Sequence, residues 1–131
     1  MTAQIDHTLD GLIKCIIMQE SSNNPYAKGD AGAAWGIMQI QQGCLTDVNR
    51  YLGTGFTLQQ VFGANGVELS KIVFSTYMHI YATERRLGRP VTDQDRARTW
   101  NGGPNGWRKK STLGYWVAIM KHAQKMGITL V

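Results

Sequence analysis

Two carboxylates stand where they could act on one bond. Glu20 closes an apolar stretch, Ile16-Ile17-Met18-Gln19, and is followed by Ser21-Ser22-Asn23-Asn24-Pro25. A carboxyl held against apolar side chains loses the hydration of its charged form, so it keeps its proton nearer to neutral pH. Asp30 follows in a glycine-rich loop, Lys28-Gly29-Asp30-Ala31-Gly32, whose backbone lets a side chain come close to a ligand. Two carboxyls facing across a groove can divide the work of cutting a glycosidic bond. One protonates the leaving oxygen, and the other attacks or stabilises the carbon left behind. Read locally, each residue also has an ordinary alternative: Glu20 as an exposed helix-end glutamate, Asp30 as a turn former.

Other residues are suited to holding a sugar. Trp35, Trp100, Trp107, Tyr115 and Trp116 flank the loops, and aromatic faces stack on sugar rings. Trp116 is expected in the core, Trp35 at the ligand. Tyr77 and Tyr81 share a helical face at i and i+4, where core packing is the default and groove lining the alternative. Asn101-Gly102-Gly103-Pro104-Asn105-Gly106 concentrates backbone specialists and reads as a tight irregular turn with unusual dihedrals, whose amides could bond sugar hydroxyls. The candidate binding residues are therefore Trp35, Tyr77, Trp100 and Tyr115 among the aromatics, with Ser21, Gln39, Asn101, Gly102 and Gly103 beside them. His7, His79 and His122 form no metal or triad pattern, and no phosphate-binding glycine loop is present, so neither metal nor cofactor is expected.

The elements that must position these residues are mainly helical. Leu9, Leu12, Ile13, Ile16 and Ile17 recur at helical spacing, predicting a helix from about Thr8 to Ser21 with Asp6 or Thr8 as its cap. Glu20 then lies at the helix C-terminus, where the dipole disfavours negative charge. Residues 23–34 read as loop with a short hairpin around Asp30. A helix through Val48 and Leu52 follows Ile40, and Gly53 to Gly55 breaks it. A long helix is predicted from about Val67 to Leu87, ended by Gly88-Arg89-Pro90. Thr92 with Asp95 resembles a capping box, and a last helix spans about Leu113 to Met126. The expected class is α+β, mostly α: two lobes with a small β or loop element and a groove between them.

A chain of 131 residues with 43% hydrophobic and 18% charged residues reads as one domain, residues 1–131. The net charge of +5 is concentrated after Arg85, where Asp93 and Asp95 are the only carboxylates. Such a surface attracts polyanions, either nucleic acid or the anionic polymers of a bacterial wall. Cys15 and Cys44 make no disulfide framework, and two buried free thiols are expected over a single bridge. Ile16-Ile17-Met18 is too short to cross a bilayer. Met1 to Asp6 lack a basic segment followed by an apolar one, so no secretory leader is expected.

The pieces and their order resemble a known family. Glu20-Ser21, Gly29-Asp30, Gly36-Ile37-Met38-Gln39-Ile40, Asn101 to Gly106, and Lys109-Lys110-Ser111-Thr112-Leu113-Gly114-Tyr115-Trp116 are similar to the invertebrate-type (destabilase-like) lysozymes and their bacterial and phage relatives. The resemblance runs from about Ile13 to Met120. The glutamate-serine and Gly-Ile-Met-Gln-Ile segments are also similar to soluble lytic transglycosylases and goose-type lysozymes. The resemblance implies a lysozyme fold and cleavage of the β-1,4 bond between N-acetylmuramic acid and N-acetylglucosamine, with Glu20 as general acid and Asp30 as nucleophile or stabiliser. Its alternatives are a lytic transglycosylase using Glu20 alone, and a non-catalytic wall-binding module. The partner it implies is peptidoglycan, met by a monomer, with no nucleic acid and no membrane insertion. Action on the wall without a leader would follow from a trimmed chain or phage-type delivery. Animal members are rich in disulfides, and often carry His where this chain has Trp100. The scarcity of cysteines points to the bacterial or phage branch, and any role of that His is lost here.

Overall fold

A computed structural model describes residues 3–131. Of the opening read as leader-free, Met1 and Thr2 lie outside the described residues. The chain runs through α1 (Asp10–Ser21), a hairpin of β1 (Lys28–Gly29) and β2 (Ala34–Trp35), α2 (Gln42–Leu52), α3 (Leu58–Val61), α4 (Val67–Tyr81), α5 (Glu84–Leu87), α6 (Asp93–Gly102) and α7 (Leu113–Met126).

A 3₁₀ turn, His7–Leu9, leads into α1, and the Asp6 side chain caps that turn by accepting from the Thr8 N–H. The predicted apolar stripe is buried: Leu12, Ile13, Ile16 and Ile17 enter one core with Met38, Ile40, Leu45, Val73, Phe74, Met78 and Ile119. Such burial, at ~25 cal/mol per Å² of apolar surface, is the main force holding the helices together. α1 packs on α7 and α6, and α4 packs on α2 and α6.

The hairpin is antiparallel, with Lys28 opposite Trp35 and Gly29 opposite Ala34. Trp35 and Ile40 then exchange both backbone bonds, at 2.9 and 3.0 Å. Gly36 makes this turn possible. Its φ is +84°, and a Cβ there would overlap the Val61 carbonyl.

Two predicted elements are corrected. The long helix stops at Tyr81 and does not continue to Leu87. Thr83 is extended, and its hydroxyl accepts from the Arg86 N–H to start the separate α5. A threonine that can cap a helix competes with the helix running through it. Arg86 then reaches back to the carbonyls of Tyr81 and Pro104, both at 2.8 Å, and ties down the loop after α6. The second correction concerns Asn101 to Gly106. Asn101 and Gly102 complete α6, the chain breaks at Gly103 (φ +86°), and Gly106–Arg108 is a 3₁₀ turn. Gly106 serves close packing, because a Cβ there would run into the Arg98 carbonyl.

The predicted capping box is present. Thr92 accepts from the Asp95 N–H, and Asp95 accepts from the Thr92 N–H at 2.9 Å. Arg89 adds a bidentate pair to the same carboxylate, both bonds at 2.7 Å.

Candidate active site

The ends of these elements enclose a cleft of about 390 Å³. The last turn of α1 supplies Glu20, and the hairpin supplies Asp30 and Ala34. The segment entering α2 supplies Gln39, Ile40 and Gln41. The first turn of α2 adds Gly43 and Cys44, α4 adds Tyr77, and the end of α6 adds Trp100 and Asn101.

Glu20 is partly buried on the cleft wall. Burial pushes its carboxyl above the ordinary glutamate range. The Tyr115 hydroxyl, donating to Oε2 at 2.7 Å, offsets part of that rise. The two effects have different origins. Burial penalises the carboxylate, whereas the tyrosine bond favours it and fixes which oxygen remains free for a ligand. The phenol is itself pushed well above its usual range, by burial and then by the neighbouring carboxylate.

Asp30 differs in kind. It is exposed, and its Oδ2 accepts from the Gln41 amide at 2.9 Å. Its backbone is left-handed (φ +50°), as are Ala31 (+54°) and Gln39 (+57°). Left-handed non-glycine residues are uncommon and cost of order 1 kcal/mol each, so neighbouring bonds must hold them. Here Gln39 is held by its side-chain amide, which donates to the carbonyls of Ala27 (3.1 Å) and Gly36 (2.9 Å). The unusual dihedrals expected in the loop after Trp100 thus occur at the hairpin. Among residues 101–106 only Gly103 has positive φ.

Tyr77 takes both of its predicted roles. It is almost fully buried, packs on Tyr81 (4.9 Å between centroids) and Trp100 (5.7 Å), and still borders the cleft. Trp100 also packs edge-on against Phe74 at 5.0 Å, so one indole joins core and cleft.

The remaining predicted binding residues lie off the cleft wall. The Ser21 hydroxyl is shared between the carbonyls of Ile37 (2.8 Å) and Ile17 (3.2 Å), stapling the turn to α1. Trp35 stands on the opposite face of the hairpin from Ala34, edge-on to Phe62 and beneath the Lys28 ammonium at 3.9 Å. Gly102 packs against Thr112, and Gly103 ends α6. Tyr115 reaches the cleft through Glu20. Trp116 is half-buried against the core.

Sequence reading missed Gln41 and Cys44. Gln41 directly follows the Gly-Ile-Met-Gln-Ile segment, but nothing local ties it to Asp30. Cys15 and Cys44 are both free; Cys15 is buried and Cys44 only partly so. Burial pushes the Cys44 thiol far up, so it stays protonated beside Tyr77.

Known proteins are similar to this chain over most of its length. Residues 1–57 match the model of the transglycosylase SLT domain. A lysozyme of Meretrix lusoria is 31% identical over 111 residues, covering 83% of this chain and 85% of the relative. An invertebrate-type lysozyme of Ruditapes philippinarum is 38% identical over 58 residues, covering 44% of this chain and 41% of the relative. The crystal structure of Tapes japonica lysozyme superposes with a TM-score of 0.72 at 28% identity, covering 91% of this chain and 94% of that one. Fold, cleft and relatives together define a lysozyme-type glycosidase. The chain belongs to the invertebrate-type lysozyme family.

Proposed function

We propose that Glu20 is the general acid and Asp30 the second carboxylate of a muramidase, cutting the β-1,4 bond between N-acetylmuramic acid and N-acetylglucosamine in peptidoglycan. The observation that carries this reading is the unlike pair of carboxyls lining one cleft. One is shielded and raised in pKa; the other is exposed, amide-bonded and set on left-handed backbone. Glu20 hands its proton to the leaving oxygen. Asp30 meets the positive charge growing at the anomeric carbon, by attack or by electrostatic stabilisation, and Glu20 then activates the water that completes hydrolysis. Tyr77 and Trp100 offer aromatic surface to the sugar, and Asn101 and Gln39 offer polar groups. The enzyme acts on the cell wall as a monomer with one catalytic domain, residues 1–131.

The SLT match over residues 1–57 favours a second reading, a lytic transglycosylase in which the muramic 6-hydroxyl replaces water. Product analysis of digested peptidoglycan separates the two. Hydrolysis leaves reducing ends; 1,6-anhydro-muramic ends as the main product would reject Asp30's role in favour of Glu20 acting alone.

Tyr115→Phe tests the tyrosine's part. Its hydroxyl bonds the charged form of Glu20, so its removal raises the Glu20 pKa further. A general acid works only while protonated, so the alkaline limb of the kcat–pH profile should move to higher pH. An unmoved limb would mean that the bond does not tune the acid.

A further inference from the structure

The hairpin has a second face, turned away from the cleft. Ala34 borders the cleft, so its strand neighbour Trp35 points to the other side, and Lys28, paired with Trp35 in the register, shares that side. Tyr26 joins them from the turn before β1, and Phe62 from the residue after α3. Phe62 stands edge-on to both other rings, 5.6 Å from Trp35 and 5.7 Å from Tyr26. The Lys28 ammonium lies 3.9 Å from the Trp35 centroid and 5.0 Å from that of Phe62, where the ring faces attract it. The cluster is held in place. Trp35 Nε1 donates to the Gly32 carbonyl at 2.7 Å, and the Gly63 N–H donates to the Pro25 carbonyl at 2.8 Å. The Tyr26 ring lies against Gly63, where a Cβ would come within 3.1 Å of it.

This cluster does nothing for the core. None of the three rings belongs to the hydrophobic core or packs against it, and Tyr26 is 60% exposed. Lys28 forms no salt bridge among the described residues. None of the four side chains lines the cleft. Their chemistry narrows the ligand. A phosphate polymer needs a track of cations, and Lys28 is the only cation from Pro25 to Thr46. Three partly exposed rings fall well short of the ~800 Å² per partner that a stable protein interface buries. A sugar strand needs less: aromatic surface for the C–H faces of its rings, and polar groups at the margin. A cation among the rings suits a strand that also carries carboxylates, and the stem peptides of a muramyl strand supply them. We infer that Tyr26, Lys28, Trp35 and Phe62 form a second glycan-binding site, which takes a muramyl strand of peptidoglycan outside the cleft. A second contact on an insoluble polymer keeps the enzyme near its next bond by raising the effective concentration of substrate. The inference rests on the peptidoglycan reading of the cleft for its ligand, and not on the roles of Glu20 or Asp30.

The test uses the intact protein carrying Glu20→Gln, which leaves the wall undigested. It is pelleted with insoluble peptidoglycan and, separately, with chitin, a neutral glycan. Adding Y26A should weaken binding to both by about threefold to tenfold. Adding K28Q should weaken binding to peptidoglycan by about threefold and leave chitin binding unchanged, and K28R should restore it. Melting temperature should not change. With Glu20 intact, Y26A and K28Q should slow the release of reducing ends from dilute insoluble wall by similar factors. Turnover of short soluble wall fragments should stay as it was, because a second contact counts only on a polymer that reaches both sites. Undiminished pelleting by Y26A would overturn the inference. So would equal losses by K28Q on peptidoglycan and chitin, which would remove the carboxylate from the ligand. Equal falls on soluble fragments and insoluble wall would also overturn it, by assigning these residues to the cleft. Pelleting needs no catalysis, so these outcomes are separate from the fate of Glu20 as the acid, which hydrolysis judges.

Discussion

Glu20→Gln should lower the rate of peptidoglycan hydrolysis by about 10²–10⁴-fold while leaving the fold and wall binding in place. The amide can still accept the Tyr115 hydroxyl, so the cleft keeps its shape; what is lost is the transferable proton. The readout is release of reducing ends from a wall suspension, with a pull-down on insoluble wall as the binding control. Stability makes a second, independent signature. Because the folded-state pKa of Glu20 is raised, the folded chain holds this proton more tightly than the unfolded chain does. Ionisation therefore costs stability as pH rises from the ordinary glutamate range through the raised value, and that cost persists above it. The glutamine variant never ionises at this position. It should melt higher than the parent at neutral and alkaline pH and converge with it in acid. Undiminished hydrolysis would remove Glu20 from the chemistry. An unchanged melting difference across pH would show that its carboxyl is not shielded.

Asp30→Asn should cost about 10²–10³-fold in kcat, the range found when one preorganised electrostatic group is removed from a developing charge. Asparagine tolerates left-handed backbone, and its side-chain oxygen can still accept from Gln41, so the loop should persist. The loss falls on the charge that faces the anomeric carbon, and therefore on kcat more than on KM. The outcome also discriminates mechanisms. A hydrolase loses nearly all turnover. An enzyme relying on the muramic 6-hydroxyl loses little and yields anhydro ends. In the double variant the two effects should not add, since both residues serve one transition state.

Much of the architecture follows from local rules. The apolar spacing from Leu9 to Ile17 predicts α1, and Thr92 with Asp95 predicts the start of α6. The last helix matches its predicted bounds, Leu113–Met126, because a stripe facing α1 and Gly127 as a left-handed cap are both written within a few residues. Where two local rules compete, the sequence is ambiguous. Thr83 could continue a helix or cap one, and Arg86's hold on the carbonyls of Tyr81 and Pro104 accompanies the second choice.

Residue types and their order were enough to mark Glu20 and Asp30 as the carboxyls of interest and to point to the family. What the sequence could not contain is the difference between them. Glu20 is shielded by what packs around it and bonded by Tyr115, far along the chain on α7, and Asp30 is steadied by Gln41 from the far side of a turn. Helix periodicity and caps depend on neighbours three or four residues apart, so they can be read along a line. Desolvation and side-chain juxtaposition are sums over everything that packs nearby in space, and only the folded chain decides those.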